Sequence, residues 1–360
     1  MSELVLMTGA TGFVGRRLLR VWLQKTSARV VVLTRPQNGD ATAARCGVAE
    51  PELAEDFSRR VTAVAADLTD PRLGLSPALR TELATAVTHI VHCGGLVRFD
   101  VSLADARATN TTGAAAMLDL ARQCPRLRRF DHISTAFVAG CRRGVVSEDE
   151  HDRGQQHHNG YERSKLEAEL LVRGAAGDLP IAIHRPSIIT CDTRTGELAP
   201  FGAVARLLGA YAAGNLTALP GRPDARLDLV PVDFVADAVF AVAADPGSVG
   251  GCFHLAAGPD RSPELGEVRD LAAEHFQRPP LLIGGDPSSL PSALRAEVEL
   301  YAPYLTCDLA FAVAEADRFL GKAGVDLPNL AEYFAIMARG VRLLIRQMRP
   351  PHREQPRSIP

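Results

Sequence analysis

Thr8-Gly9-Ala10-Thr11-Gly12-Phe13-Val14-Gly15 follows the apolar run Leu4-Met7 directly and opens the amphipathic stretch Phe13-Gln24. A glycine at 9 permits a tight turn, one at 12 lets the backbone approach a pyrophosphate, and one at 15 lets the helix lie close on a sheet. The free N–H groups of the helix start then face the anion. Between a strand and a helix, this stretch predicts a phosphate-binding turn built on Gly9, Thr11, Gly12, Phe13, Val14 and Gly15.

Working outward, short β-branched runs at Arg29-Thr34, Val61-Ala65, His89-His92, Phe130-Ile133 and Ile181-His184 read as strands. Pro77-Ala86, Leu103-Gln123 and Tyr161-Arg173 carry helical periodicity between them. That alternation belongs to βαβ units and a parallel sheet. The unbroken Val30-Val31-Val32-Leu33 run suits a strand covered on both faces. The class expected is α/β, a Rossmann-type doubly wound parallel sheet with a smaller C-terminal substrate lobe. Residues 1–190 and 228–258 are assigned to the nucleotide-binding domain, and 191–227 with 259–348 to the lobe. Asp233 is a candidate helix N-cap and Asn329-Met348 a final helix. The proline-rich stretch 349–360 is expected to be a disordered tail.

Bulk properties narrow the function. The 360 residues are 46% hydrophobic and 23% charged, an ordinary globular composition. A net charge of -2 gives no basic field to favour nucleic acid or an anionic membrane. Seven scattered cysteines without a C-x-x-C pair read as reduced thiols of a cytoplasmic protein, not a disulfide scaffold or zinc site. The opening MSELVLMTGATGFVG lacks the features of a secretory signal, and no stretch suits a membrane span.

The end of the second strand discriminates between nicotinamide cofactors, since an acid there bonds the 2′-hydroxyl of NAD whereas arginine accommodates the 2′-phosphate of NADP. Here the strand ends in Arg35 with no acid, and Arg16 follows the glycine turn. Both favour NADP(H), because a planar guanidinium suits phosphate.

Tyr161 and Lys165 stand four apart in NGYERSKLEAE and share one helix face, about 6 Å apart along the axis. An ammonium beside a phenol is expected to lower its pKa and fit Tyr161 for proton transfer. Lys165 would also hold the nicotinamide ribose. Thr135, at the end of the fifth strand, is placed to donate to a substrate carbonyl, while its neighbour Ser134 faces the other way. Asn110 is a candidate member of a proton relay, holding a water or a backbone carbonyl.

As a set these residues resemble the extended short-chain dehydrogenase/reductases. GATGFVG, ADLTDPRLGLS, HCGGLVRFD, ISTAFVAG, YERSKLEAE, HRPSII and LVPVDFVADAV go further. Together they are similar to the NAD-binding domain of thioester reductases and fatty acyl-CoA reductases of the male-sterility type. That resemblance implies a catalytic triad of Thr135, Tyr161 and Lys165. It implies that Asp67 and Leu68 border the adenine, that Cys93, Gly94 and Gly95 pass under the cofactor, and that Pro186, Ser187 and Ile188 flank the nicotinamide. It further implies NADPH-dependent reduction of a thioester, on coenzyme A or a carrier protein, to an aldehyde or alcohol. Cys93-Gly94-Gly95 departs from the commoner alanine-rich turn, and the substrate is expected to arrive already activated or to be a different carbonyl.

Two other readings compete: an extended dehydrogenase or epimerase acting on a sugar nucleotide, sterol or ketone, and a non-catalytic NADP-sensing regulator. No metal is expected from His151, His157 and His158, which lack partners at ligand spacing. Cys93 is read as a small buried hydrophobe. Val341-Arg349 is read as packing on the lobe in preference to a membrane or carrier surface.

Overall fold

The computed structural model describes residues 3–35, 51–199 and 202–348. The tail expected at 349–360 lies outside them. Seven strands form the central sheet: β1 (Leu4–Thr8), β2 (Arg29–Thr34), β3 (Val61–Ala65), β4 (His89–His92), β5 (Arg129–Ile133), β6 (Ile181–Pro186) and β7 (Cys252–Leu255). Every pairing is parallel, in the order β7-β6-β5-β4-β1-β2-β3. The order in which strands are added therefore reverses between β1 and β4, where Thr8 lies opposite His92. In such sheets ligands bind in the crevice outside the carboxyl ends of the strands at this switch point.

Side chains alternate along β1, so Val5 and Met7 enter one layer and Leu6 the other. The first layer is closed by α1 (Phe13–Lys25), through Leu18, Leu19 and Trp22, and by Val235, Val239 and Val242 of a later helix (Val232–Ala244). The second is closed by Met117 and Leu120 of a helix over Leu103–Ala121 and by Ala168 and Val172 of another over Gly160–Gly174. In order, we label these α1, α2 (Leu103–Ala121), α3 (Gly160–Gly174) and α4 (Val232–Ala244).

A separate apolar cluster lies beyond β6. It joins Leu208 and Tyr211 of α5 (Ala203–Ala213), Leu265 and Ala272 of a helix over Leu265–Phe276, Val298 and Leu305 of α6 (Ser292–Thr306), and the stripe Leu330, Tyr333, Phe334, Met337 and Val341 of α7 (Leu330–Met348). Gly340 of α7 sits against the hairpin at 191–198, where a Cβ would come within 1.8 Å of the Gly196 carbonyl oxygen.

One expectation is corrected. Asp233 does not cap α4; Pro231 occupies that position, and the Asp233 carboxylate instead accepts from the Thr193 backbone N–H at 3.0 Å and from its hydroxyl. The hairpin claims the carboxylate before the helix end can.

Candidate active site

The glycine turn abuts the turn after β4. Gly9 has φ +74°, and a Cβ on it would meet the Cys93 carbonyl carbon and the Gly94 nitrogen at 2.7 Å. On Gly15 a Cβ would lie 2.0 Å from the Gly9 carbonyl oxygen, and on Gly12 3.2 Å from the same atom. Helix α1 thus starts against bare backbone, with Gly12 at its N-cap and no side-chain cap. That leaves the first-turn N–H groups of α1 for an anion. The residues fit a dinucleotide pyrophosphate. Gly15→Ala should cost about 1–3 kcal/mol of stability through overpacking and abolish nucleotide binding, read by thermal unfolding and calorimetric titration. A variant that binds nucleotide normally would contradict this cradle.

Thr8 locks the two turns together. Its Oγ1 accepts from the Gly94 N–H at 2.8 Å and is hydrogen-bonded to His92 Nδ1, also at 2.8 Å. Burial holds His92 down at about 3, so the ring is neutral. Leu68 packs on Gly94, where a Cβ would meet its Cδ1 at 2.7 Å, and Asp67 binds Thr69 through its Oδ1. Arg35, exposed at the end of β2, lies close enough to help hold the Asp67 carboxyl low, after the hydrogen bonds from Thr69. Asp67, Leu68, Cys93, Gly94 and Gly95 therefore converge with the glycine turn and Arg35 on one edge of the crevice. Arg16 departs from them. Its Nη2 donates to Glu197 Oε1 at 2.6 Å.

Tyr161 and Lys165 both lie buried on α3. Asn159 starts this helix by accepting from the Glu162 N–H at 3.0 Å, and Glu162 reaches back to the His158 N–H at 2.9 Å. Lys165 Nζ donates to the Ile133 carbonyl at 2.6 Å, which ties it to the end of β5. Burial brings its ammonium down to about 8, against the opposing pull of Cys93 and Glu169. The Tyr161 phenol lies beside the Thr135 hydroxyl, which opposes the rise of its pKa. Here the expected lowering by Lys165 is corrected: burial dominates and pushes the phenol up to about 12, with Glu162 and Cys93 adding to the rise. The phenol stays protonated at neutral pH, the form a proton donor requires.

Thr135 Oγ1 donates its one proton to the Pro186 carbonyl at 3.4 Å, which brings the end of β6 to the same point. Ser187 turns away, donating to Asp228 Oδ1 at 2.5 Å, while Ile188 is half-buried in a two-residue strand with Ile189. Ser134 faces the opposite side, as alternation requires, and donates to Glu169 at 2.8 Å. Asn110 is fully engaged. Its Oδ1 accepts from the Leu96 N–H at 2.7 Å, and its amide donates to the Leu96 carbonyl and to Ser164 Oγ. It holds a backbone carbonyl and fastens the post-β4 loop to α3.

Several side chains join the site that the sequence reading did not single out. Phe99 stacks on Tyr161 with ring centroids 5.5 Å apart, and Tyr301 and Tyr304 of α6 pack around it. Tyr304 donates to buried Glu162 at 2.5 Å and accepts from Asn159. A signal existed for Glu162 alone: an Asn followed three residues later by Glu is a helix-start pattern. Phe99 falls within the HCGGLVRFD segment that carries the resemblance, without a role assigned to it there, and nothing local marks Tyr304. Cys93 lies beside Tyr161 and Lys165, and burial raises its thiol to about 11, which suppresses the nucleophilic thiolate. Among the described residues, no group of three or more His, Cys, Asp or Glu could hold a metal ion. His157 bonds the Val138 carbonyl and His158 bonds Glu162.

A switch-point crevice with a glycine cradle, flanked by a tyrosine and lysine on one helix, defines an oxidoreductase of the extended short-chain dehydrogenase/reductase type. The profile of an NAD-binding family described as Male sterility protein matches residues 7–239, and the chain belongs to that family. It is 31% identical over 283 residues to a non-canonical nonribosomal peptide synthetase, cpsA, of Aspergillus campestris, covering 74% of this chain and 27% of that protein. With a fatty acyl-CoA reductase 1 of Gallus gallus it shares 31% over 279 residues, covering 66% of this chain and 54% of that one. The chain thus spans about half or less of the length of these curated relatives. Among solved structures, the terminal R domain from the myxalamid PKS-NRPS biosynthetic pathway superposes with a TM-score of 0.84 at 26% identity, covering 95% of this chain and 91% of that one. Among the described residues, no helix is long and apolar enough to cross a membrane.

Proposed function

We propose that this chain is an NADPH-dependent reductase of an acyl thioester, carried on coenzyme A or a carrier protein, and yields an aldehyde or alcohol. The observation that carries the reading is the convergence of the Tyr161 phenol, the Thr135 hydroxyl and the Lys165 ammonium at the ends of β5 and β6, beside the glycine cradle. The reductase names of the similar proteins support the substrate class. The exposed Arg35 at the end of β2, where NAD-binding chains carry an acid, supports the 2′-phosphate form.

When bound, the reduced nicotinamide supplies the hydride. Thr135 and Tyr161 donate hydrogen bonds to the carbonyl oxygen as it gains negative charge, and Tyr161 gives it the proton. Lys165, anchored to Ile133, sits within the same buried pocket as a fixed positive charge and holds the ribose. Asn110 keeps α3 and the post-β4 loop in register. The resulting hemithioacetal loses its thiol to leave an aldehyde. Residues 1–190 and 228–258 bind the nucleotide, while 191–227 and 259–348 receive the acyl group, in a protein of the cytoplasm.

Product analysis is the test. Purified protein given NADPH and an acyl-CoA series should release one free thiol for each thioester reduced to aldehyde. NADPH oxidation on a ketone or sugar nucleotide without thiol release would support the dehydrogenase reading instead and remove this one.

A further inference from the structure

Tyr161 is the second residue of α3, in a first turn whose N–H groups have no partners within the helix. What holds this turn from outside therefore decides where the phenol points. One side rests on α2, where a Cβ on Gly160 would meet the Leu103 Cα at 2.9 Å and its nitrogen at 3.0 Å. The other side rests on Tyr304 of α6, 145 residues beyond Asn159 in the sequence.

The Tyr304 hydroxyl spends both its donor and its acceptor on that turn. It accepts from Asn159 Nδ2 at 2.8 Å and donates to Glu162 Oε1 at 2.5 Å, while Asn159 Oδ1 accepts from the Glu162 N–H at 3.0 Å. Phenol, cap amide and carboxylate thus close a ring over the turn that carries Tyr161. Glu162 is fully enclosed, so its charge depends on Tyr304 and on the backbone and ring of His158. The Tyr304 ring makes a second link. It packs on Phe99 with centroids 5.4 Å apart, and Phe99 stacks on Tyr161 at 5.5 Å. A polar route and an apolar route therefore both run from Tyr304 to the catalytic phenol, and only the polar one needs the Tyr304 oxygen.

We propose that Tyr304 is a positioning residue, through which α6 of the C-terminal lobe sets the orientation of the Tyr161 phenol. The inference rests on the reading of Tyr161 as the proton donor of the reaction above. Without the Tyr304 oxygen, a buried carboxylate is short of a donor and the cap amide is short of an acceptor. The first turn of α3 then resettles, and the phenol moves relative to Thr135 and to the carbonyl that it must reach. A displacement of about 1 Å at a reacting group can cost up to about 10²-fold in rate.

The experiment compares the full chain with Tyr304→Phe, Tyr161→Phe and the double variant. With NADPH and an acyl-CoA, Tyr304→Phe should lower kcat about tenfold and leave the KM for NADPH within about twofold. In the Tyr161→Phe background the same substitution should change kcat by less than about twofold, because the group it positions is gone. Equal losses in both backgrounds, or unchanged turnover of Tyr304→Phe, overturn the inference and leave the proton-donor reading standing. A second measurement needs no turnover. In carbon NMR of the chain labelled at the ring of its five tyrosines, the Tyr161 signal is the one lost in Tyr161→Phe. Tyr304→Phe keeps a ring at 304, so a shifted Tyr161 signal supports the inference and an unmoved one overturns it. Should the parent reduce no thioester, the substrate reading falls and this signal still decides the role of Tyr304. Thermal unfolding establishes that each variant is folded. Should Tyr304→Phe be unstable, Asn159→Ser keeps a cap acceptor and removes the amide that Tyr304 accepts from, and the same dependence on Tyr161 is expected of it.

Discussion

Tyr161→Phe is expected to lower the turnover of thioester reduction by about 10²- to 10⁴-fold, the range for removing a positioned general acid, while nucleotide binding is unchanged. The substitution removes one oxygen from a buried phenol beside Thr135 and leaves the ring stacked on Phe99, so packing is conserved. The pH profile of the parent should carry a second mark of the site. Of the three triad groups, Lys165 lies nearest neutrality, drawn down to about 8 by burial, so its positive charge is present below that pH and lost above it. Activity should accordingly fall as pH rises through about 8. The phenol, at about 12, remains protonated throughout that range. Steady-state rates of parent and variant, with NADPH affinity measured separately, provide the check. A variant as active as the parent would show that protonation is delivered by some other group.

Glu169→Gln should destabilise the fold by about 3–5 kcal/mol, the cost of breaking a buried ion pair by removing one partner. Glu169 lies one turn beyond Lys165 and is fully enclosed. It accepts from Arg185 at 2.6 and 3.0 Å, from Arg173 at 2.9 Å and from Ser134 at 2.8 Å, joining α3 to β5 and β6 directly beneath the site. Burial alone would raise its carboxyl, but the Arg185 and Arg173 guanidiniums overcome that and hold it at about 2, below the ordinary 4.5. The folded protein thus takes up this proton less readily than the unfolded chain. The stabilisation is complete above about 4.5 and fades as pH falls towards about 2. Urea unfolding of the two proteins at pH 7 and at pH 4 should show the gap between them narrowing in acid. An unchanged gap would mean that the network contributes packing and no charge.

Local rules made a large part of this molecule legible. The strands at Arg29–Thr34 and His89–His92 have the bounds their apolar runs predict, because such runs suit a sheet covered on both faces, and the exposed edge strand Val61–Ala65 keeps its expected bounds as well. Helix α2 ends two residues short of its expected limit, at Ala121, where the chain turns into a short loop before β5. Asp233 was misleading for a physical reason: a carboxylate near a helix start caps only when no stronger donor reaches it, and Thr193 does, from forty residues away in the sequence.

What the sequence alone determined is short in range: a glycine at every third position from 9 to 15, a tyrosine and a lysine one helical turn apart, and an arginine where a strand ends. Turns and helices convert such spacings into geometry by themselves. The contact of Thr135 with Tyr161, the stacking of Phe99, the reach of Tyr304 into Glu162 and the grip of Glu197 on Arg16 were decided by tertiary structure alone. Each joins segments that meet only because of the order of strands in the sheet and the docking of the lobe, and no local pattern encodes those distances.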